Sequence, residues 1–227
     1  MTGSLQGQRR LRRWHRLIAM ATSIQLLLWT LSGLFFAFVD IEYVRGHQFK
    51  VPASPVALDL TQFAVTEFNA QHLVVRERLP GEMLVGVQAE SGLQWFDQNG
   101  ALARALTAEE ALALGATRTV MTPNRTEWVD QPEVGSEYRG APLPLWRLWE
   151  SDVPDRVAYM DALSGEVLAV RHGAWRWWDF LWSLHIMSYT DRDTIGTWLL
   201  KVFSVMALIT AVLGVWLFRA TRRVATR

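Results

Sequence analysis

The fold of this chain is decided by residues 174–189, which read AWRWWDFLWSLHIMSY. This stretch holds four of the twelve tryptophans and one histidine, and it leads into a long apolar segment. Five side chains are expected on or near one helical face, because residues three and four positions apart are neighbours on a helix: Trp175, Trp178, Trp182, His185 and Tyr189. Tryptophan and tyrosine concentrate where lipid headgroups meet hydrocarbon. The stretch therefore predicts a Trp-rich interfacial helix over 174–190, with an imidazole among aromatic rings.

Two long apolar stretches predict membrane-spanning helices. Residues 17–39 contain no charged side chain, and residues 194–218 contain only Lys201. Each is long enough for the roughly 20 residues that a helix needs to cross the hydrocarbon core. The first is too long for a cleavable signal, and no small-residue cleavage site follows it. We expect this first helix to begin among the preceding arginines and to end near Phe38.

One side of the first span is small and polar. Thr22, Gln25, Trp29 and Gly33 fall on the same helical stripe as His15. Such a stripe is typical of a face that packs on another helix, and an amide within a membrane needs a hydrogen-bond partner.

The charge distribution predicts the topology. The basic tails, 1–16 and 219–227, contain five and four arginines and no acidic residue. All 22 acidic residues lie from Asp40 to Asp193, where 13 basic residues against 22 acidic ones give a net charge of −9. Basic flanks stay on the cytoplasmic side of a membrane. We therefore expect a bacterial inner-membrane protein with both termini in the cytoplasm and a periplasmic domain over 40–173. Beside membrane spans, such tails indicate topology rather than binding to nucleic acid.

Several kinds of site are excluded by composition. The chain contains no cysteine, so disulfides, thiolate metal sites and cysteine nucleophiles are ruled out. It contains no Ser nucleophile elbow and no His-Glu-x-x-His motif, which argues against a hydrolase. It has no Gly-rich dinucleotide motif either, so any electron that it carries must come from another protein, a quinol or a soluble reductant.

The central domain has the pattern of an α+β fold. Its predicted strands lie at 73–79, 83–89, 93–96, 145–150, 156–160 and 166–171. A helix is expected over 59–72, and Thr107 with Glu110 predicts a capping box that opens a second helix, stopped by Gly115. Residues 116–140 show no clear pattern. A weak similarity between 94–102 and 158–168 indicates two half-units, each an antiparallel sheet with a helix on one face.

Three segments resemble the PepSY-associated transmembrane family. YMDALSGEVL at 159–168 resembles the closing strands of a PepSY domain. RWHRL at 13–17 is similar to the start of the first span in that family, and DFLWSLHIMSY at 179–189, with Arg192, to its return to the membrane. The resemblance implies an α+β membrane protein, with two transmembrane helices flanking a PepSY-like domain. Because larger relatives have four or more spans, we expect this chain to form a four-helix bundle as a homodimer.

The same resemblance implies a function. Family members include inner-membrane ferric and ferric-siderophore reductases, which hold b-type haem between membrane helices and pass electrons to periplasmic iron. His15 and His185 each lie near a predicted membrane edge with a tryptophan close by. The residues alone leave them equally open to interfacial polar roles and to ligation, and the resemblance favours ligation of haem iron, each with its copy in the partner.

Further residues follow from this hypothesis. Arginines pair well with haem propionates, and four lie close enough in sequence: Arg13, Arg16, Arg176 and Arg192. The ring of Trp182 is expected beside the haem. His47 and His172 are weaker candidates for binding ferric iron, and ordinary exposed polar roles are favoured for both.

The sequence is therefore compatible with two functions. The first is a haem-b electron-transfer protein, a ferric reductase that reduces periplasmic ferric iron or its chelates. The second is a non-enzymatic PepSY module, tethered by its spans, that binds or inhibits a periplasmic partner. In the second case the tryptophans serve only as a membrane anchor.

Overall fold

The computed structural model describes residues 2–52, 72–89, 92–190, 192 and 194–225. It is α+β, and in chain order its elements are α1 (Thr2–Phe38), α2 (Ile41–Val44), a 3-10 turn (His47–Phe49), β1 (His72–Leu79), β2 (Glu82–Ala89), β3 (Gly92–Phe96), α3 (Ala108–Arg118), β4 (Arg125–Val129), β5 (Leu145–Trp149), β6 (Val157–Asp161), β7 (Val167–Arg171), α4 (Gly173–Ile186) and α5 (Trp198–Ala225). They divide into two units: a helical unit of residues 1–40 and 177–227, and an α+β unit of residues 41–176.

The helical unit contains two helices that are long and apolar enough to cross a membrane, over Arg16–Phe38 and Trp198–Val215. α1 ends at Phe38 as predicted, but it begins at Thr2, well before the arginines. α5 begins four residues later than the predicted span, because the Thr197 hydroxyl accepts a hydrogen bond from the Leu200 amide (3.2 Å) and caps the helix there.

In this unit several polar side chains are buried and many large apolar side chains are exposed, which is the reverse of their distribution in a water-soluble protein. Thr22 and Asp179 are 1% and 2% exposed, and Ser183 is also buried. Large apolar side chains lie on the outside, and Trp177 on α4 is 64% exposed. In soluble proteins large apolar side chains are the ones most often buried, and charged and polar side chains are mostly exposed. Buried small and polar residues with apolar surroundings are the arrangement expected of helices packed within lipid. The predicted packing stripe on α1 is confirmed in part: Thr22 and Gln25 are buried, whereas a Cβ at Gly33 would meet nothing within 4 Å.

The α+β unit contains two antiparallel sheets, one of three strands in the order β1-β2-β3 and one of four in the order β4-β5-β6-β7. The predicted strands are confirmed to within a residue or two of their bounds. β4 falls in the stretch that gave no prediction, because it is an edge strand with mostly exposed, polar residues. The predicted helix over 59–72 lies outside the described residues except for His72, which is the first residue of β1.

α3 covers one face of the four-stranded sheet. Its capping box is confirmed, with the Thr107 side chain accepting from the Glu110 amide and the Glu110 carboxylate from the Thr107 amide. The prediction that Gly115 stops this helix is wrong, since α3 continues to Arg118. A Cβ at Gly115 would lie 2.9 Å from both a Leu148 methyl and the Pro123 ring. Glycine is therefore needed here for close packing rather than for helix termination.

The other face of this sheet is covered by residues 130–144. Tyr138 from this segment packs with side chains from three strands: Leu145, Val157, Tyr159 and Ala169. Two arginines, one buried and one partly buried, connect the two sheets. Arg78, 1% exposed, donates to the Arg104 and Leu163 carbonyls, and Arg118 donates to the carbonyls of Glu77, Arg78 and Gly165.

Candidate ligand site at His185

The candidate site is formed by His185 near the C-terminal end of α4. Its ring is parallel to that of Trp182 (8° between planes, centroids 6.2 Å apart), and Trp182 is stacked in turn on Trp178 (11°, 5.3 Å). The stack follows from helical spacing, because positions 178, 182 and 185 lie on one face. The predicted face is therefore confirmed for three of its five residues, whereas Trp175 lies beside Arg139 and Arg171, and Tyr189 is exposed beyond the end of α4.

α1 supplies the opposite wall of the site. The Phe36 ring contacts all three stacked rings, with centroids 5.6 Å from Trp178, 5.9 Å from Trp182 and 5.6 Å from His185. Its contact with His185 is edge-on, at 75°. The imidazole is thus held between a stacked indole and the edge of a phenyl ring, and these apolar walls limit the access of water to it.

Two polar contacts fix the histidine. Ser32 Oγ lies 2.8 Å from His185 Nδ1, and Trp29 Nε1 donates to the His185 carbonyl oxygen at 2.7 Å. The second bond satisfies a carbonyl at the helix end that has no partner within the helix. Ser32 is six residues before the end of α1, which is about 9 Å along the helix. His185 therefore lies deeper along α1 than the membrane-edge position expected from sequence.

The other ring nitrogen, Nε2, has no hydrogen-bond partner among the residues that the structure describes. The His185 side chain is only partly buried. A neutral imidazole with a protonated Nδ1 presents an unshared electron pair at Nε2, which is the usual donor to zinc, copper or haem iron. Chemically, this site provides one nitrogen ligand in aromatic surroundings.

The other residues predicted to bind the haem include a second histidine and three arginines of the helical unit. The backbone of His15 lies in α1, but its side chain is outside the described residues. Arg13 and Arg16 are exposed on the same helix. Arg192 forms an ion pair with the buried carboxylate of Asp179 on α4. Any role of Arg192 toward a propionate would compete with this pair.

His172 and His47 lie in the α+β unit. The expectation that His172 is exposed is wrong, because its ring packs against those of Tyr43 and Phe49 and its Nε2 lies 3.0 Å from the Tyr43 carbonyl oxygen. His47 is exposed and pairs with Glu42. In the described parts of the chain, no group of three or more His, Asp or Glu side chains could hold a metal ion.

A cluster of charged side chains surrounds Glu137 in the α+β unit. The Glu137 carboxylate accepts from both Arg176 Nε (2.6 Å) and Nη2 (3.1 Å), and Arg171 Nε donates to the Glu137 carbonyl oxygen at 2.8 Å. Burial lowers the pKa of Arg171 to about 10 and raises that of Tyr159, which lies beside Glu137, to about 12. Arg176, another predicted propionate partner, is therefore engaged here.

Comparison with family models, curated proteins and solved structures returns no match for this chain. The resemblance to PepSY-associated proteins therefore remains a prediction from sequence.

Two contacts of His185, with Ser32 and Phe36, are not among the residues predicted for this site. Trp29 was placed on the packing stripe, but its bond to the His185 carbonyl was not foreseen. Ser32 lies three residues after Trp29 on that stripe, and this spacing is the signal that would have identified it.

Proposed function

We propose that this chain is a haem-b electron-transfer protein of the bacterial inner membrane. It reduces periplasmic ferric iron, free or chelated, to ferrous iron for uptake, and so acts as a ferric reductase. The observation that supports this best is His185 Nε2, an imidazole nitrogen that lies among aromatic rings and has no hydrogen-bond partner in the described parts of the chain.

The residues present fit a haem. His185 supplies an axial nitrogen, and bis-histidine ligation is common in electron-transfer haems. Bound haem would supply a one-electron couple. Phe36 and Trp182 limit water and hold the imidazole. Arg13 and Arg16 are exposed and therefore free to meet propionates near the cytoplasmic side.

A homodimer completes the proposal. Two copies would bring each His185 and each His15 together with its counterpart, giving four helices and two ligand pairs at different depths. An electron from a cytoplasmic protein, a quinol or a soluble reductant would then cross in two steps, and one electron converts Fe³⁺ to Fe²⁺. The net charge of −9 on the segment from Asp40 to Asp193 would attract ferric iron.

A haem count tests the proposal. We expect purified wild-type protein to show a reduced-minus-oxidised haem spectrum, and His185→Ala to lose at least half of its haem per chain. His15→Ala should also lose part of its haem. His47→Ala serves as the matched control, because His47 is exposed in the other unit, and it should keep the full complement. A colourless wild-type protein, or a His185→Ala variant with all of its haem, contradicts the proposal.

One observation favours the alternative function of a tethered binding module. β4 is an edge strand of the four-stranded sheet, its residues are mostly exposed, and Trp128 is 39% exposed. Exposed edges can accept an added strand from a partner. If the protein is colourless and Trp128→Ala abolishes capture of a periplasmic protein, this alternative replaces the first.

A further inference from the structure

The inference concerns the hydroxyl group of Ser32. Its Oγ has three neighbours at hydrogen-bond distance: His185 Nδ1 at 2.8 Å, the Leu28 carbonyl oxygen at 2.8 Å and the Trp29 carbonyl oxygen at 3.1 Å. Ser32 itself is buried. The arrangement therefore connects the imidazole to the backbone of α1 through a single hydroxyl group.

The number of protons available at Ser32 and His185 determines which atom donates in each of these hydrogen bonds. A hydroxyl has one proton to donate, and a carbonyl oxygen can only accept. If Ser32 donates to the Leu28 or Trp29 carbonyl, its oxygen accepts from His185, which requires a proton on Nδ1. If Ser32 donates to Nδ1 instead, the proton of His185 lies on Nε2, which has no acceptor among the described residues. A donor without an acceptor in apolar surroundings is unfavourable, so the first arrangement is preferred.

The ring cannot easily turn away from Ser32. It is stacked on Trp182 and meets the edge of Phe36, and the Trp29 indole holds the backbone of the same residue. With Nδ1 fixed toward Ser32, Nε2 points to the opposite side of the ring. Second neighbours of this kind commonly set the tautomer and orientation of metal-binding histidines.

We propose that Ser32 is a positioning residue for His185: it accepts the Nδ1 proton and thereby presents Nε2 as a deprotonated ligand. The identity of the bound metal centre rests on the proposed function, whereas the tautomer does not. The two claims are therefore tested by separate measurements.

The tautomer is measured by ¹⁵N NMR on full-length, histidine-labelled protein in nanodiscs, reduced with dithionite. The His185 signals are assigned from their loss in His185→Gln. We expect a protonated, hydrogen-bonded Nδ1 whose signal moves in Ser32→Ala and is largely restored in Ser32→Thr. Ser204→Ala is the matched control, since Ser204 also donates to the carbonyl four residues earlier (2.8 Å) but is exposed. A proton on Nε2, or no change in Ser32→Ala, overturns the inference.

The effect on ligation is measured by haem transfer to excess apomyoglobin. Loss of such a neighbour typically weakens metal binding about 10–100-fold, so we expect correspondingly faster transfer from Ser32→Ala and wild-type rates from Ser32→Thr and Ser204→Ala. The midpoint potential should rise in Ser32→Ala, because a less basic imidazole stabilises the oxidised iron less. If wild-type protein holds haem but Ser32→Ala matches Ser204→Ala, the inference fails and the proposed function stands. If wild-type protein holds none, the proposed function fails and the NMR result alone decides the inference.

Discussion

At the scale of single residues, polar side chains in the two units are stabilised by different surroundings. In the helical unit the buried Asp179 carboxylate is paired with Arg192, as a buried ionised group requires. In the α+β unit, Arg118 is partly buried and donates to three backbone carbonyl oxygens. Burial lowers the pKa of this guanidinium, yet it remains charged at neutral pH because guanidinium pKa values are so high.

Glu110 yields a pH-dependent prediction at this scale. Its bonds with Arg104, and then with Thr107, lower its pKa from 4.5 to about 2. A folded-state pKa below the unfolded value contributes stability that is present above pH 4.5 and is lost as the pH falls toward 2. We expect Glu110→Gln to lower the free energy of unfolding by about 1 kcal/mol at pH 7, with the difference vanishing near pH 2.

Thermal unfolding of the full chain in detergent between pH 2 and pH 7 measures this difference. Glu109→Gln is the matched control, because Glu109 lies beside Glu110 in the first turn of α3 but is exposed. Equal pH profiles for the two variants would show that the ionised Glu110 carboxylate, paired with Arg104, does not stabilise the fold in this way.

At the scale of secondary-structure elements, α3 shows why a helix end is hard to predict from sequence. Glycine commonly ends a helix by adopting a left-handed conformation. At Gly115 the determining factor is tertiary instead: Leu148 and Pro123 leave no space for a side chain. Pro123 and Leu148 both lie outside α3, so the sequence of the helix alone wrongly favours Gly115 as its end.

Gly115→Ala therefore tests two opposing effects. Alanine is favoured over glycine in a helix by about 1 kcal/mol, but overpacking a filled core costs about 1–3 kcal/mol. Because Leu148 is fully buried, we expect a net loss of up to about 2 kcal/mol, measured by denaturant unfolding of the α+β unit. Gly33→Ala in α1 is the control, since a Cβ there meets nothing within 4 Å; a stabilised Gly115→Ala would refute the packing explanation.

The candidate site was predictable in part for similar reasons. The stack of Trp178, Trp182 and His185 follows from spacing within one helix, and the sequence predicts it correctly. The contacts of Ser32 and Trp29 with His185 join residues more than 150 positions apart. The spacing of residues within one helix does not indicate which residues of another helix they contact. These contacts could therefore be identified only from the structure.

At the scale of the whole molecule, the predicted topology can be tested directly, since the chain contains no cysteine and each introduced thiol is therefore unique. We expect Asn99→Cys, in an exposed turn of the α+β unit, to react with a membrane-impermeant maleimide in intact spheroplasts. Thr221→Cys, within the basic tail, should react only after the membrane is opened. Labelling of Thr221→Cys in intact spheroplasts would place the C-terminus outside and overturn the topology.

The large separation in sequence between Ser32 and His185 also has a consequence for biosynthesis. The two residues are 153 positions apart, and a ribosome adds about 5–20 residues per second. Roughly 8–30 s therefore pass between the emergence of the serine and that of the histidine, and the whole α+β unit is synthesised in the interval. The hydroxyl on α1 is present long before the imidazole, so any cofactor that this histidine binds can be loaded only after 185 of the 227 residues have been made.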